Sequence, residues 1–260
     1  MKFENQSLIQ GDFFQVAGEV EPGSVSLVLT DPPYGCLAPV QNWDISVNFS
    51  RLGRALARLL HPTGQIAIFA DFTTAVDIYT AFSGFDFRFT FIWEKYPGQP
   101  INLHRPISDV ELILIFKRQG AKVGDLTFNS GAVATQGQPY RKTSFTEVNP
   151  TRRGIKATLF ENHNGNRHPR TVLRYPAKPC MEAAERTDHP TQKPVDLLGY
   201  LIRLLSNEGD IILDPFAGSG STLVACHRLK RQGIGFELAP EYFSMAKSRL
   251  EQETAQMVLL

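Results

Sequence analysis

The sequence predicts an α/β fold built from βαβ units around a mostly parallel sheet, interrupted once by a small insertion. Two observations lead there. Short apolar runs rich in β-branched and aromatic residues recur along the chain, with helical patterns of apolar residues between them. Two of these runs also end in an aspartate that opens a turn motif, and the carboxyl ends of parallel strands are where such sheets place ligands.

The elements can be taken in chain order. Ser7-Leu8-Ile9-Gln10-Gly11-Asp12 is a short strand followed by an acid. Further strands are read at 26–29, 65–69, 89–93, 111–116, 210–213 and 234–236, each as a buried strand. Phe49, Leu52, Leu56, Leu59 and Leu60 share one helical face, whereas Arg51, Arg54 and Arg58 fall off it. Pro194 suits the first position of a second helix, with Leu197, Leu198, Leu201 and Leu205 inward. Leu223, Val224 and Leu229 mark a third, closed by basic residues and Gly233. A fourth covers 241–250, with Phe243, Met245 and Ala246 as its apolar residues.

The stretch 119–188 breaks this rhythm, being rich in Gly, Asn, Pro and Thr and weak in periodicity. Between Tyr140 and Lys178 it carries Arg141, Lys142, Arg152, Arg153, Lys156, Arg167, Arg170, Arg174 and Lys178, against only Glu147 and Glu161. One reading is a solvated, partly ordered insertion. The other is a nucleic-acid contact surface, since local basic charge is interleaved with Tyr140, Phe145, Phe160, His163 and Tyr175. The chain thus divides into 1–118, a basic insertion 119–188, and 189–260.

Bulk properties narrow the classes. At 260 residues, 42% hydrophobic and 20% charged, the composition is that of an ordinary globular protein. The formal net charge of +1 excludes an indiscriminate polycation, so any nucleic-acid surface must arise from local segregation of charge. Cys36, Cys180 and Cys226 are odd in number and lack CxxC spacing. That argues against a disulfide framework or a zinc site and predicts a cytoplasmic protein. No apolar run has the length of a membrane span, and the N-terminal residues carry no signal-type apolar region.

Two motifs carry chemistry. Asp31-Pro32-Pro33-Tyr34-Gly35 follows the apolar run ending at Thr30. Its prolines remove backbone donors and fix φ. It therefore offers a carboxylate, an outward carbonyl and a flat ring, which together suit a planar base bearing an NH2. The plain structural alternative is a strand-end Asp opening a proline turn. Asp214-Pro215-Phe216-Ala217-Gly218-Ser219-Gly220-Ser221-Thr222 lies between a strand and a helix, and its glycines permit close backbone approach to a ligand. Glu237 ends the next strand, where it could hold ribose hydroxyls. The third glycine of a dinucleotide motif and the lysine of a phosphate-binding loop are both missing, so a nucleoside-like cofactor without pyrophosphate is expected.

These two motifs, with His189-Pro190-Thr191-Gln192-Lys193-Pro194 between them, resemble the DNA amino-methyltransferases. The order, catalytic motif before cofactor motif, is similar to their permuted β class. The resemblance implies a Rossmann-like, circularly permuted, seven-stranded methyltransferase sheet using S-adenosylmethionine (SAM) and no metal. It further implies double-stranded DNA as substrate and a homodimer, in a cytoplasmic restriction-modification enzyme of bacterial, archaeal or phage origin.

By the same resemblance Asp31, Pro32, Pro33 and Tyr34 hold the target amine and its ring, and Asp31 also binds the cofactor. Phe216, Ala217, Gly218, Ser219 and Gly220 line the cofactor together with Asp214 and Thr222. Glu237 takes the ribose and Asp12 the adenine, while Thr191 and Lys193 sit near the methionine part. Arg141, Lys142, Arg152, Arg153, Lys156, Arg167 and Arg170 contact DNA. The DPPY form of the catalytic motif points to adenine N6 through base flipping. Cytosine N4 offers the same NH2 beside a ring nitrogen and stays open. An RNA methyltransferase or a DNA-binding protein without catalysis are the more distant alternatives.

Overall fold

The structure, a computed structural model, describes residues 1–3, 5–35, 46–99, 104, 106–136, 138, 140–147, 155–162, 165–178 and 181–257. Its strands are β1 (Lys2–Phe3), β2 (Gln6–Gln10), β3 (Val25–Thr30), β4 (Leu60–Ala70), β5 (Phe85–Gln99), β6 (Ser108–Arg118), β7 (Thr135–Gln136), β8 (Tyr140–Glu147), β9 (Ile155–Asn162), β10 (Asn166–Arg167), β11 (Val172–Pro176), β12 (Ile211–Asp214) and β13 (Gln232–Glu237). Its helices are α1 (Phe13–Val16), α2 (Phe49–Leu59), α3 (Phe72–Ala81), α4 (Val195–Leu205), α5 (Ser221–Arg228) and α6 (Pro240–Met257). Among the described residues no helix is long and apolar enough to cross a membrane.

The chain separates into two compact units, Met1–Phe128 with Thr171–Leu260, and Asn129–Arg170. The larger holds a nine-stranded sheet in the order β1-β2-β13-β12-β3-β4-β6-β5-β11. The pairs β2–β13, β13–β12, β12–β3, β3–β4 and β5–β11 are parallel. Those of β1 with β2 and of β6 with β4 and β5 are antiparallel. Seven strands were the expectation. The two extra ones lie at the edges, a two-residue β1 and a β11 that extends the sheet beside β5. Because Val172–Pro176 pairs with Ile92–Tyr96, the separately packed part of the 119–188 stretch is narrower, 129–170. In that smaller unit β8 pairs antiparallel with β9, and β7 with β10.

Local chemistry sets the helices around the sheet. The Asn48 side chain caps α2 by accepting from the Arg51 N–H at 2.9 Å. Phe49, Leu52, Leu56 and Leu59 are buried as the helical stripe requires. They pack with Val28, Ile66, Ile68, Ile78 and Phe116 in the core on that side of the sheet. Helix α4 buries Leu197, Leu198, Leu201 and Leu205, with Pro194 as its cap rather than its first turn. Helix α6 packs beside β1, β2 and β13, so the last helix lies next to the first strands.

Candidate active site

The sheet order brings acids from distant parts of the chain into one row. Strands β2, β13, β12 and β3 are parallel neighbours, and at their carboxyl ends stand Asp12, Glu237, Asp214 and Asp31. Asp214 is buried and serves as a hub. Its carboxylate accepts from the Thr30 hydroxyl at 2.8 Å, the Thr222 hydroxyl at 2.6 Å and the Phe216 N–H at 3.1 Å. It thereby ties the end of β3 to the glycine loop before α5. Burial pushes its carboxyl up to about 6, with those three hydrogen bonds opposing the shift.

A cavity of about 380 Å³ opens above this row, within the size range of small-ligand sites. At one side it is lined by Phe216, Ala217, Gly218, Ser219, Thr222 and Glu237. The Glu237 carboxylate accepts from the Gly218 N–H at 2.7 Å and the Ala239 N–H at 2.8 Å, which fixes its direction and leaves lone pairs for a ligand. Leu238 is held 65% exposed on the cavity wall, and Tyr242 and Pro190 add flat apolar surface. Gly218 has φ +51°, and a Cβ there would come within 2.9 Å of the His189 ring. That glycine makes room for a protein side chain as well as for a ligand.

The other side of the cavity holds the Asp31-Pro32-Pro33-Tyr34 turn with Phe69, Trp93, Lys95 and Glu111. Both Asp31 oxygens are engaged. Oδ2 accepts from the Lys193 ammonium, and Oδ1 accepts from the Tyr34 hydroxyl at 2.6 Å. Glu111 Oε1 lies 3.3 Å from Lys193 Nζ and 3.4 Å from the Tyr34 hydroxyl, while Oε2 lies 3.6 Å from Lys95 Nζ. Burial alone would pull the Lys193 ammonium down. The Asp31 and Glu111 charges outweigh it and raise the ammonium above the usual lysine value. Burial first, then the same two carboxylates, push the Tyr34 phenol well up. His189 packs against Tyr242 with tilted rings whose centroids are 4.3 Å apart, and burial, helped by Lys193 and Lys178, lowers its imidazole to about 4.

The cavity lining thus unites Asp31, Pro32, Pro33, Tyr34, Thr191, Lys193, Asp214, Phe216, Ala217, Gly218, Ser219, Thr222 and Glu237. Two residues expected at the cofactor stand off it. Asp12 caps α1, accepting from the Phe14 N–H at 2.9 Å. Gly220, at φ +76°, faces Ala246 of α6. Lys193, expected near the methionine part of the cofactor, meets Asp31 and Glu111. Of the basic residues, Arg141, Lys142 and Lys156 lie on β8 and β9. Arg167 donates to the Gln138 carbonyl at 2.8 Å, and Arg170 is exposed. Arg152 and Arg153, like Cys36 and Cys180, lie outside the described residues. Cys226 is buried, which pushes its thiol up. Glu111 and His189 are the site residues whose roles the sequence did not suggest. The signal for Glu111 was an acid at the head of an otherwise apolar run.

Residues 25–248 match the model of the N6/N4 family, described as DNA methylase. The chain belongs to that family. This methylase is 32% identical to the type II methyltransferase M.HpaI of Haemophilus parainfluenzae, over 96% of the chain and 75% of the relative. It is 26% identical to the DNA adenine methyltransferase YhdJ of Escherichia coli, over 95% and 83%. Among solved structures, the M1.HpyAVI–SAM complex matches with a TM-score of 0.63 at 27% identity, covering 94% of this chain and 98% of that one. The methylase thus has the Rossmann-like α/β fold of SAM-dependent DNA methyltransferases.

Proposed function

We propose that this DNA methylase transfers a methyl group from SAM to the exocyclic N6 of an adenine flipped out of duplex DNA. The observation that carries the reading is a single cavity walled on one side by the glycine loop and Glu237 and on the other by the Asp31-Pro32-Pro33-Tyr34 turn. The donor set fits a nucleoside cofactor. Glu237 keeps acceptor lone pairs after bonding two backbone N–H groups, and Leu238 presents an uncovered apolar wall. Phe216, Ala217 and Gly218 hold the cofactor beside these, with Asp214 fixing their loop. When bound, SAM supplies a methyl group made electrophilic by its sulfonium sulfur.

The residues around Asp31 prepare the acceptor. An exocyclic amine is a poor nucleophile because its lone pair is conjugated with the ring. Asp31 and the Pro32 carbonyl accept its two hydrogens, favour a pyramidal nitrogen, and offset the positive charge that develops there. Tyr34 supplies the stacking face for the flipped ring. Basic residues of 129–170 contact the phosphates and position the duplex. The DPPY form of the motif and the adenine specificity in the name of YhdJ support adenine over cytosine. The test is incubation of plasmid DNA with isotopically labelled SAM, followed by digestion and mass spectrometry of nucleosides. N6-methyladenine is the expected product. N4-methylcytosine overturns the choice of base, and absence of label overturns the transfer to DNA.

A further inference from the structure

Asp31 carries two donors at once, and one of them is a cation. Lys193 Nζ rests on Oδ2 while its side chain is only 10% exposed, over the faces of Phe69 at 5.2 Å and Trp93 at 5.9 Å. A cation this deeply buried cannot part from its counter-ions without a large desolvation penalty. It therefore stays beside Asp31 during the reaction. Taken alone, an Asp31–Lys193 pair is neutral, and a neutral pair offers little to the positive charge that develops on a substrate amine.

We propose that Glu111 is a positioning residue of the methyl transfer, which takes up the charge of Lys193 so that the Asp31 carboxylate stays available to the amine. The inference rests on the amino-nitrogen reading above. With Glu111 at 3.3 Å, Lys193 lies between two carboxylates, so its charge is shared with Glu111 rather than spent on Asp31 alone. Lys95, 3.6 Å from the far oxygen of Glu111, is a second cation on the cavity wall, but at 21% exposure against 10% for Lys193 it is the more screened by solvent. Glu111 has a second use. The amine needs Oδ1, which the Tyr34 hydroxyl now occupies, and Glu111 Oε1 at 3.4 Å is the acceptor that can receive the displaced hydroxyl. In the transfer itself the amino nitrogen forms the C–N bond with its lone pair as the S–C electrons return to sulfur. The nitrogen then releases one proton to water. Glu111 touches neither reacting atom and acts through Lys193 and Tyr34.

The test compares wild type with Glu111→Gln, Glu111→Asp and the double variant Glu111→Gln/Lys193→Gln, over a SAM titration at saturating DNA and with folding followed by thermal melting. Glu111→Gln is expected to lose at least about tenfold in kcat while KM for SAM moves less than about threefold, because an electrostatic contribution to the transition state is removed. Glu111→Asp keeps the charge and should retain at least about threefold more activity than Glu111→Gln. The double variant, which removes both charges and leaves Asp31 unneutralised, should recover at least about threefold over Glu111→Gln. A merely structural ion pair predicts that the variants differ in melting temperature while kcat per folded enzyme stays the same in all of them. Unchanged kcat in Glu111→Gln, or a double variant no more active than it, overturns the proposal. Should Glu111→Gln fail to fold, the Asp variant and the double variant carry the same comparison against wild type. Wild type that labels no DNA overturns the function together with the role of Glu111. An active wild type beside a fully active Glu111→Gln overturns the role alone.

Discussion

Asp31 has its two oxygens turned toward Lys193 and Tyr34, both of which line the cavity. Asp31→Ala should therefore remove turnover by at least about 100-fold yet leave SAM affinity within about threefold, as calorimetry beside a methylation assay would show. Residual activity above about a tenth of wild type would sink that role. Two other residues make opposite demands on pH. His189 falls to about 4 in the folded state from an ordinary value of 6.5, so it is neutral when folded and takes up a proton more readily when unfolded. Its contribution is fully present above about 6.5 and is lost as pH falls toward 4, by about 3 kcal/mol. Asp214 rises to about 6 from 3.8, so the folded state keeps a proton that the unfolded state has released. Its contribution is fully present below 3.8 and is lost as pH rises to about 6, again by about 3 kcal/mol. Over pH 4–6 the two slopes nearly cancel in wild type. Asp214→Asn should leave a melting temperature that rises with pH across this window, and His189→Gln one that falls. Identical slopes in wild type and both variants would show that neither group is shifted.

At the scale of elements, the hairpin of β8 and β9 makes a finer prediction than its composition does. Its register sets Lys142 opposite Phe160, Thr146 opposite Lys156, and Arg141 opposite Glu161. Since successive positions alternate between faces, 142 and 156 share one face and 141 and 161 the other. Lys142→Ala with Lys156→Ala should weaken DNA binding and flatten its salt dependence by nearly two counterions, whereas Arg141→Ala, opposite an acid, should do less. A larger effect from position 141 in a salt titration would assign the DNA to the other face. The strands β3, β4 and β6 were legible because their apolar runs are buried on both faces, whereas β2 and β5 bury alternate positions; each strand read from sequence overlaps an observed one from β2 to β13. Helix α3 was not legible. Its Phe72, Val76 and Tyr79 are exposed while Thr74 is buried, so no apolar stripe marks it, and the only cue was the Asp71 cap on Thr74 at 2.7 Å. Strand β11 was hidden for a related reason, since its edge position leaves Val172 and Arg174 exposed. The site was legible in its motifs and not in its wiring. Asp31 and Lys193 are 162 residues apart, and only the strand order brings Lys193 and Glu111 to the same carboxylate.

For the whole molecule, the decisive fact is that strands β12 and β13, late in the chain, lie between β2 and β3, which are early. The cavity is therefore built from both ends of the sequence, and neither end can form it alone. Residues 129–170 stand in a different relation to it. All nine strands of the large sheet and every residue lining the cavity belong to Met1–Phe128 with Thr171–Leu260. The two junctions also meet the same strand. The Phe128 ring lies 6.1 Å from that of Phe89, and the Thr171 carbonyl accepts from the Ile92 N–H at 2.8 Å, both on β5. A short Gly/Ser linker can therefore replace 129–170 without pulling the sheet apart. The shortened chain should melt in one cooperative transition and bind SAM within about threefold of the full protein. Its DNA affinity should fall at least about tenfold with a shallower salt slope, because the lost segment carries seven of the basic residues expected to contact phosphates, Arg141, Lys142, Arg152, Arg153, Lys156, Arg167 and Arg170. Calorimetry with SAM and a salt series of DNA-binding isotherms measure the two effects separately. If SAM binding is lost with the segment, the cavity depends on 129–170 after all. If DNA binds as tightly with the same slope, the phosphate contacts belong to the larger unit, where Lys95 and His104 would be the next residues to neutralise.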